Sequence, residues 1–289
     1  MSYDDVTDAD RIQIANSFLL AAPPGEFMEV VTDVRGLLED DSLINDTCPA
    51  TFREWNTDQM LQVVSPNGGH EVLISKYGEV NDAEYLDPRG NCVIQFDHIK
   101  QAVAGSRAIS GELDQEVEGY RSAFDSAAAD YTAEHYGNGG CTIYGAKKGG
   151  NHVITICISA SKFNPNNFWN GRWRSVWTCT FSPNGKVQLD GNMKLNVHYY
   201  EEGNVQLTTN TNKATTCNGG DAKTTAANVM KQIGRIEAEF QQALDQSYAT
   251  MGDTTFKALR RKLPITRKKM DWDWRRIQGM RVGQQAARG

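Results

Sequence analysis

The chain predicts an α+β fold, and three observations carry that prediction. The first 60 residues repeat apolar side chains at helical spacing. The middle alternates apolar and polar residues between short Gly- and Asn-containing turns. A long uninterrupted amphipathic stripe follows it. Runs of strands separated from runs of helices are the pattern of α+β rather than of wound βαβ units.

The helices come first. "TDAD", Thr7 to Asp10, resembles a capping box with Asp in the Glu position. Ile12, Ala15, Leu19 and Ala22 then recur at helical spacing, and "PPG", Pro23 to Gly25, stops the helix. Phe27, Val30, Val31, Val34, Leu37 and Leu38 mark a second amphipathic helix, which "EDDS" breaks. Pro49 starts a third helix around Phe52 and Trp55. Short helices with short connections make antiparallel neighbours, so residues 1–60 read as a helical hairpin layer.

The strands follow. "MLQVVS" and "HEVLIS" flank "PNGG", Pro66 to Gly69, as a hairpin, and "NCVIQF" is a further strand. A helix from Leu113 to His135 intervenes, with Val117, Tyr120, Phe124, Ala128 and Tyr131 on one face. "CTIYGAK" and "HVITICISAS" are joined by "KGGN". "RWRSVWTCTFS" places Trp173, Ser175, Trp177, Cys179 and Phe181 on one face. "PNG", Pro183 to Gly185, leads into "MKLNVHYYE", with Met193, Leu195, Val197 and Tyr199 inward, and "EEGN" leads into "VQLTT". Sequential strands with tight turns form an antiparallel meander. Thr209 to Lys223 reads as a loop. From Lys223 to Met251 the stripe Val229, Ile233, Ile236, Phe240, Leu244, Tyr248 predicts one helix of roughly 40 Å, long enough to lie across a sheet. Four parts result: 1–60 helical, 61–215 mainly antiparallel sheet with the helix near 113–135, 216–252 a long helix, and 253–289 a basic amphipathic arm.

The arm stands apart by charge. Residues 251–289 carry 11 Lys and Arg against 3 Asp and Glu, while the other 250 carry 19 against 33. Such asymmetry points to a tail that meets an acidic partner. "FKALRRKLPITRKKMDW" interleaves those charges with Phe256, Leu259, Leu263 and Ile265, and Pro264 divides it into two helical pieces. An apolar face with a basic rim suits a groove on an acidic partner, and a membrane surface shares the same physics.

Other chemistry is scarce. No apolar run reaches the roughly 20 residues of a bilayer span, and the acidic start "MSYDDVTDAD" resembles neither a secretory signal nor a transit peptide. Cys48, Cys92, Cys141, Cys157, Cys179 and Cys217 lack paired spacing and read as buried free thiols. His70, His98, His135, His152 and His198 are scattered, with no HExxH or GxSxG, so neither an enzyme, a metal nor a cofactor is expected. "GNGG", Gly137 to Gly140, lacks the ending of a phosphate loop and reads as helix termination and a turn. "DPR" and "FDH" read as a surface ion pair or a turn. "NFWNGRWRSVW" reads as core and cross-strand aromatics, or else as a stacking platform with Arg172 and Arg174. The acidic body argues against the platform, because phosphate binding needs a positive footprint.

Five stretches carry a resemblance: "APPGEF" (22–27), "YLDPR" (85–89), "NFWNGRWRS" (167–175), "VHYYEEGNVQL" (197–207) and "DTTFKALRRKLPITRKKMDW" (253–272). The chain resembles the alpha subunits of F-actin-capping protein. That resemblance implies an N-terminal antiparallel helix stalk and an antiparallel sheet with a long helix packed across it. It implies an obligate heterodimer with a homologous beta subunit that continues the sheet. Such a dimer caps filament barbed ends without calcium and without catalysis, in the cytoplasm at the actin cytoskeleton, and is inhibited by phosphoinositides, myotrophin-like proteins and CARMIL-type capping-protein-interaction peptides. The C-terminal arm is the main actin-binding element. The family's basic contacts fall on Lys257, Arg261 and Arg267, with Arg260, Lys262, Lys268 and Lys269 as neighbours and Phe256, Leu259 and Leu263 as the apolar face. The arm is more basic than the family version, and the match is poor beyond Trp272, so no role is carried past it. Gly105 to Glu112 and Thr209 to Lys223 also diverge. The rival reading is a polyphosphoinositide- or nucleic-acid-binding module working through the same arm, although no nucleic acid is expected.

Overall fold

The computed structural model describes residues 7–40, 42, 44, 48–109, 114–182, 185–201, 204–251 and 254. The chain divides between Gly234 and Arg235 into two units. The first opens with helices α1 (Asp8–Leu20), α2 (Phe27–Leu38) and α3 (Pro49–Asp58). The capping box forms with Asp in place of Glu: Asp10 N donates to Thr7 Oγ1 at 3.2 Å, and Thr7 N donates to Asp10 Oδ2 at 3.1 Å. The chain reverses after the two prolines at Gly25, whose φ of +84° is cheap only for glycine. Between the helices, Phe27 stacks on Trp55 (4.2 Å between centroids) and meets Phe52 edge-on at 5.1 Å. Such pairs add about 0.5–1.5 kcal/mol each beyond the area they bury. Trp55 Nε1 donates to Ala22 O at 3.1 Å, which ties α3 to the end of α1. Leu37, part of the expected stripe, instead points outward and is 74% exposed, and Ile14 and Phe18 are exposed as well.

Two small sheets follow, both antiparallel. Strands β1 (Leu61–Val64) and β2 (Glu71–Ile74) form the expected hairpin. A second sheet has the order β3-β4-β5-β6, from Glu79–Asn81, Glu84–Asp87, Cys92–Asp97 and Ala102–Ala108. Only β5 was legible as a strand, because β3 and β4 are too short and β6, AVAGSRA, is too polar and small to show a period.

Asp87 ends β4 with its side chain wholly buried, while the turn expected at "DPR" forms at Pro88 and Arg89, and Arg89 pairs with Asp125 at 2.9 Å. Asp87 accepts from Ser65 Oγ at 2.6 Å, His70 Nε2 at 2.9 Å and Gly90 N at 2.9 Å. Burial pushes this carboxyl up, but those donors outweigh it and hold the group below the usual carboxylate range. A folded-state pKa below the unfolded one stabilises at pH above the unfolded value of about 3.9, and the contribution disappears as pH falls through the folded value. Asp87→Asn should therefore lower the melting temperature at neutral pH and flatten its decline in acid. A parallel acid limb in wild type and variant would show that Asp87 is not responsible.

The five-stranded sheet has the order β11-β10-β9-β8-β7, antiparallel throughout: Gly139–Lys148, Asn151–Asn164, Trp169–Phe181, Lys186–Tyr199 and Val205–Asn218 in chain order. Gly149 and Gly150, both at positive φ, make the tight turn between β7 and β8. One face carries Ile154, Ile156, Trp177, Cys179, Leu189 and Met193, all fully buried. Helix α4 (Gln115–His135) covers this face, its N-cap Asp114 accepting from Glu116 N and Val117 N. Tyr120 and Phe124 of α4 lie 4.8 and 6.2 Å from Phe181. Helix α5 (Ala222–Met251) begins on the same face, with Val229 and Ile233 fully buried and Gln232 Nε2 donating to Thr215 Oγ1 at 3.4 Å.

Three expectations change. Thr209 to Asn218 is not loop but the second half of β11, in full register with β10 from Tyr199↔Val205 to Lys186↔Asn218. Thr and Asn fill it where apolar residues were sought, so no alternation was visible. Tyr199, expected inward, is 41% exposed at the end of β10. Gly139 and Gly140 do more than end the helix, because they open β7. The six cysteines are free, five of them buried and Cys217 half-buried.

In the second unit, α5 continues through Arg235–Met251, and Arg235 Nη1 meets Glu239 Oε1 at 2.9 Å, one helical turn apart. Phe240 and Leu244 are half-buried and Tyr248 is exposed.

Candidate functional site

The residues expected to bind, Phe256, Lys257, Leu259, Arg260, Arg261, Lys262, Leu263, Arg267, Lys268 and Lys269, lie outside the described residues. What the structure describes is the scaffold that carries them, and it has two polar features that sequence reading missed.

The first is the joint between the helical layer and the sheet. The face of β9 opposite Trp177 carries Arg172 and Arg174, both buried. Arg174 donates to the carboxylate of Asp58, to the Asp58 carbonyl and to Asn196 Oδ1. Lys194 Nζ donates to the other Asp58 oxygen at 2.7 Å. Burial alone would raise the Asp58 carboxyl, but the two cations hold it below the usual range. Arg172 Nη1 donates to Gln59 O at 2.9 Å, and burial together with neighbouring Arg174 brings its guanidinium down to about 10. The end of α3 is thus held by two guanidinium groups of the sheet. At the turn after α1, Glu26 Oε1 accepts from His198 Nδ1 at 2.6 Å and from Asn170 Nδ2 at 2.8 Å. These arginines are committed to the fold, and Trp173 and Trp177 are buried, so these four side chains do not form a solvent-facing stacking platform.

The second feature is the outer edge of β11. Among the described residues, β11 pairs with β10 alone. It is 14 residues long with one charged side chain, Lys213, and no proline or glycine. Asn192 Nδ2 donates to Asn210 and Asn212 at 2.7 and 2.6 Å, and Asn196 Nδ2 donates to Thr208 Oγ1 at 2.8 Å, so side chains brace this strand against β10. Natural edges are blunted by charge, proline or bulges, and this one has almost none of those devices.

His98 stands in a turn, one of the two readings of "FDH", and is buried there. Its Nδ1 accepts from Asn56 Nδ2 at 3.1 Å, which leaves the proton on Nε2, facing Asp82 O at 3.0 Å. Burial lowers its pKa, which favours the neutral ring. Among the described residues no cluster of three His, Cys, Asp or Glu could hold a metal ion, and no helix is long and apolar enough to cross a membrane.

The family model of the F-actin capping protein alpha subunit matches residues 15–285. The chain belongs to that family. The F-actin-capping protein subunit alpha of Dictyostelium discoideum is 53% identical over 267 residues, 92% of this chain and 94% of its own length. That of Caenorhabditis elegans is 36% identical over 97% of this chain and 99% of its own length. The homodimeric actin capping protein alpha subunit of Plasmodium berghei superposes with a TM-score of 0.74 at 18% identity, covering 89% of this chain and 98% of that one, which is a likeness of fold. F-actin capping proteins are structural, cytoskeletal proteins rather than enzymes. The joint and the edge are therefore features of an actin-capping alpha subunit, with the stalk, sheet and long helix that the resemblance implied.

Proposed function

We propose that this chain is the alpha half of an obligate heterodimer that binds actin-filament barbed ends, without calcium, and blocks subunit exchange there. The observation that carries the reading is the family match, which runs through the basic segment to residue 285. In this reading 1–60 is the stalk, 61–215 the sheet section, 216–252 the long helix and 253–289 the arm. Lys257, Arg261 and Arg267 make the main ionic contacts, Arg260, Lys262, Lys268 and Lys269 extend them, and Phe256, Leu259 and Leu263 enter an apolar groove on actin. The test is elongation from filament seeds with the purified dimer. Barbed-end growth should stop at nanomolar dimer, with and without calcium chelator, and unchanged growth would overturn the reading.

Two observations support a partner subunit. The β11 edge offers a long row of backbone donors and acceptors, and Ile14, Phe18 and Leu37 leave an apolar face outside the stalk. Expressed alone, the chain should not persist as a soluble monodisperse monomer. Co-expression with a beta subunit should yield a soluble 1:1 complex on size exclusion. A stable monomer with a cooperative melt would contradict this.

The arm also supports regulation at an anionic surface, with phosphoinositides, myotrophin-like proteins and CARMIL-type peptides as the proposed inhibitors. Lys257 to Lys269 holds seven basic residues and no acidic one. Near an anionic membrane each contributes about 1 kcal/mol. Phosphoinositide vesicles should inhibit wild-type dimer more strongly than a Lys257/Arg261/Arg267 triple-alanine dimer with residual capping. Equal inhibition would remove the arm as the lipid target. The proposed location is the cytoplasm, at the actin cytoskeleton.

A further inference from the structure

The turn between β1 and β2 carries a chemistry that capping does not use. We propose that Asn67 is a spontaneous modification site, where the folded protein deamidates to aspartate and isoaspartate ahead of its other Asn-Gly pairs. The backbone nitrogen of Gly68 gives up its proton and attacks Asn67 Cγ. The bond from Cγ to Nδ2 breaks, ammonia leaves, and a succinimide forms. Water then opens that ring at either carbonyl. The net change is one water consumed and one ammonia released, with no oxidant or reductant.

The chain has five Asn-Gly pairs, at Asn67, Asn138, Asn170, Asn184 and Asn218, and all five have the small following residue that attack requires. The structure separates them by what the attacking amide is already doing. Gly139 N donates to Tyr136 O at 3.0 Å, Gly185 N to Ser182 O at 3.1 Å, and Gly219 N to Gly185 O at 2.9 Å. Asn170 lies within β9, paired with β8 and β10, and is only 5% exposed. At the β1–β2 turn the hydrogen bond to Ser65 O comes from Gly69, at 3.2 Å, and among the described residues Gly68 N has no acceptor. Asn67 and Gly68 are both exposed, so water and base reach the pair. Gly68 sits at φ +107°, where a residue with a side chain would be strained.

The product matters to the fold. Asn67 Nδ2 donates to Gly90 O, linking the β1–β2 turn to the β4–β5 turn beside buried Asp87. Loss of ammonia replaces that donor by a carboxylate oxygen facing a carbonyl oxygen. Two acceptors then oppose each other where a hydrogen bond stood. The isoaspartyl product also adds a methylene to the main chain between the Cα of residue 67 and Gly68, in the turn where Asn67 N donates to Ser65 Oγ at 3.2 Å, the hydroxyl that serves Asp87. The turn thus becomes a timer that loosens the hairpin as the molecule ages.

The experiment ages the full chain, co-expressed with a beta subunit, in mildly alkaline buffer and maps its peptides by mass. A gain of about one mass unit marks deamidation, and chromatography resolves the isoaspartyl form. In the folded complex the Asn67 peptide should convert several times faster than those holding Asn138, Asn170, Asn184 or Asn218. In denaturant, where no amide is engaged, the five should convert at similar rates. Asn67→Asp should lower the melting temperature of the complex, reproducing the aged state. Conversion of Asn67 no faster than the other four in the folded complex overturns the proposal, as does a folded-state slowing of Asn67 equal to theirs.

Discussion

A dimer lacking residues 256–289 should assemble normally and lose nearly all barbed-end capping. The deletion removes every basic residue from Lys257 on and the apolar Phe256, Leu259, Leu263 and Ile265, yet leaves the sheet and helix α5 through Met251. Charges facing an acidic partner steer the encounter, while buried apolar contacts slow dissociation, so both rate constants should suffer. Single substitutions grade the effect. Lys257 and Arg261 are four residues apart, one turn of a helix, and Arg267 lies beyond Pro264. Breaking a partly desolvated charge pair costs about 2–5 kcal/mol, whereas an exposed rim pair costs less than about 1 kcal/mol. Each alanine substitution should fall between those limits, with a reduced salt dependence of the on-rate. Elongation from seeds at several salt concentrations measures this, with size exclusion to check the dimer. Full capping by the truncated dimer would refute the arm as the actin-binding element.

Trp177→Ala should cost about 3–5 kcal/mol of stability, the range for removing a large buried aromatic. Trp177 is fully buried, opposite Ile156 on β8 and Gly191 on β10. Its ring occupies the space beside Gly191: a Cβ placed there would overlap the Trp177 ring. Gly191→Ala should therefore cost about 1–3 kcal/mol through overpacking. The two changes share one volume, so the double variant should be less destabilised than the sum of the singles. Denaturant unfolding of the co-expressed complex measures all three. Additive costs would mean that the glycine does not make room for the tryptophan.

The helical layer was readable because each helix announces its own ends: a capping box at Thr7 and Asp10, the two prolines at Pro23 and Pro24, and Pro49 at the start of α3. The long helix was readable from a stripe repeated over about five turns, and the arm from charge alone. These signals are local, needing only neighbours three or four residues away. What required the tertiary structure was every feature whose cause is a distant residue. Thr209 to Asn218 looks like a loop until β10 supplies the backbone partners and the Asn and Thr ladder that make it a strand. For Arg172 and Arg174 a nucleic-acid platform stays open as the lesser alternative until Asp58 and Gln59, more than 100 positions earlier, take up their donors. Asp87 looks like a surface charge until Ser65 and His70 bury it. A buried polar group persists only where a partner offsets its desolvation, and sequence spacing alone does not say which partner the fold will bring.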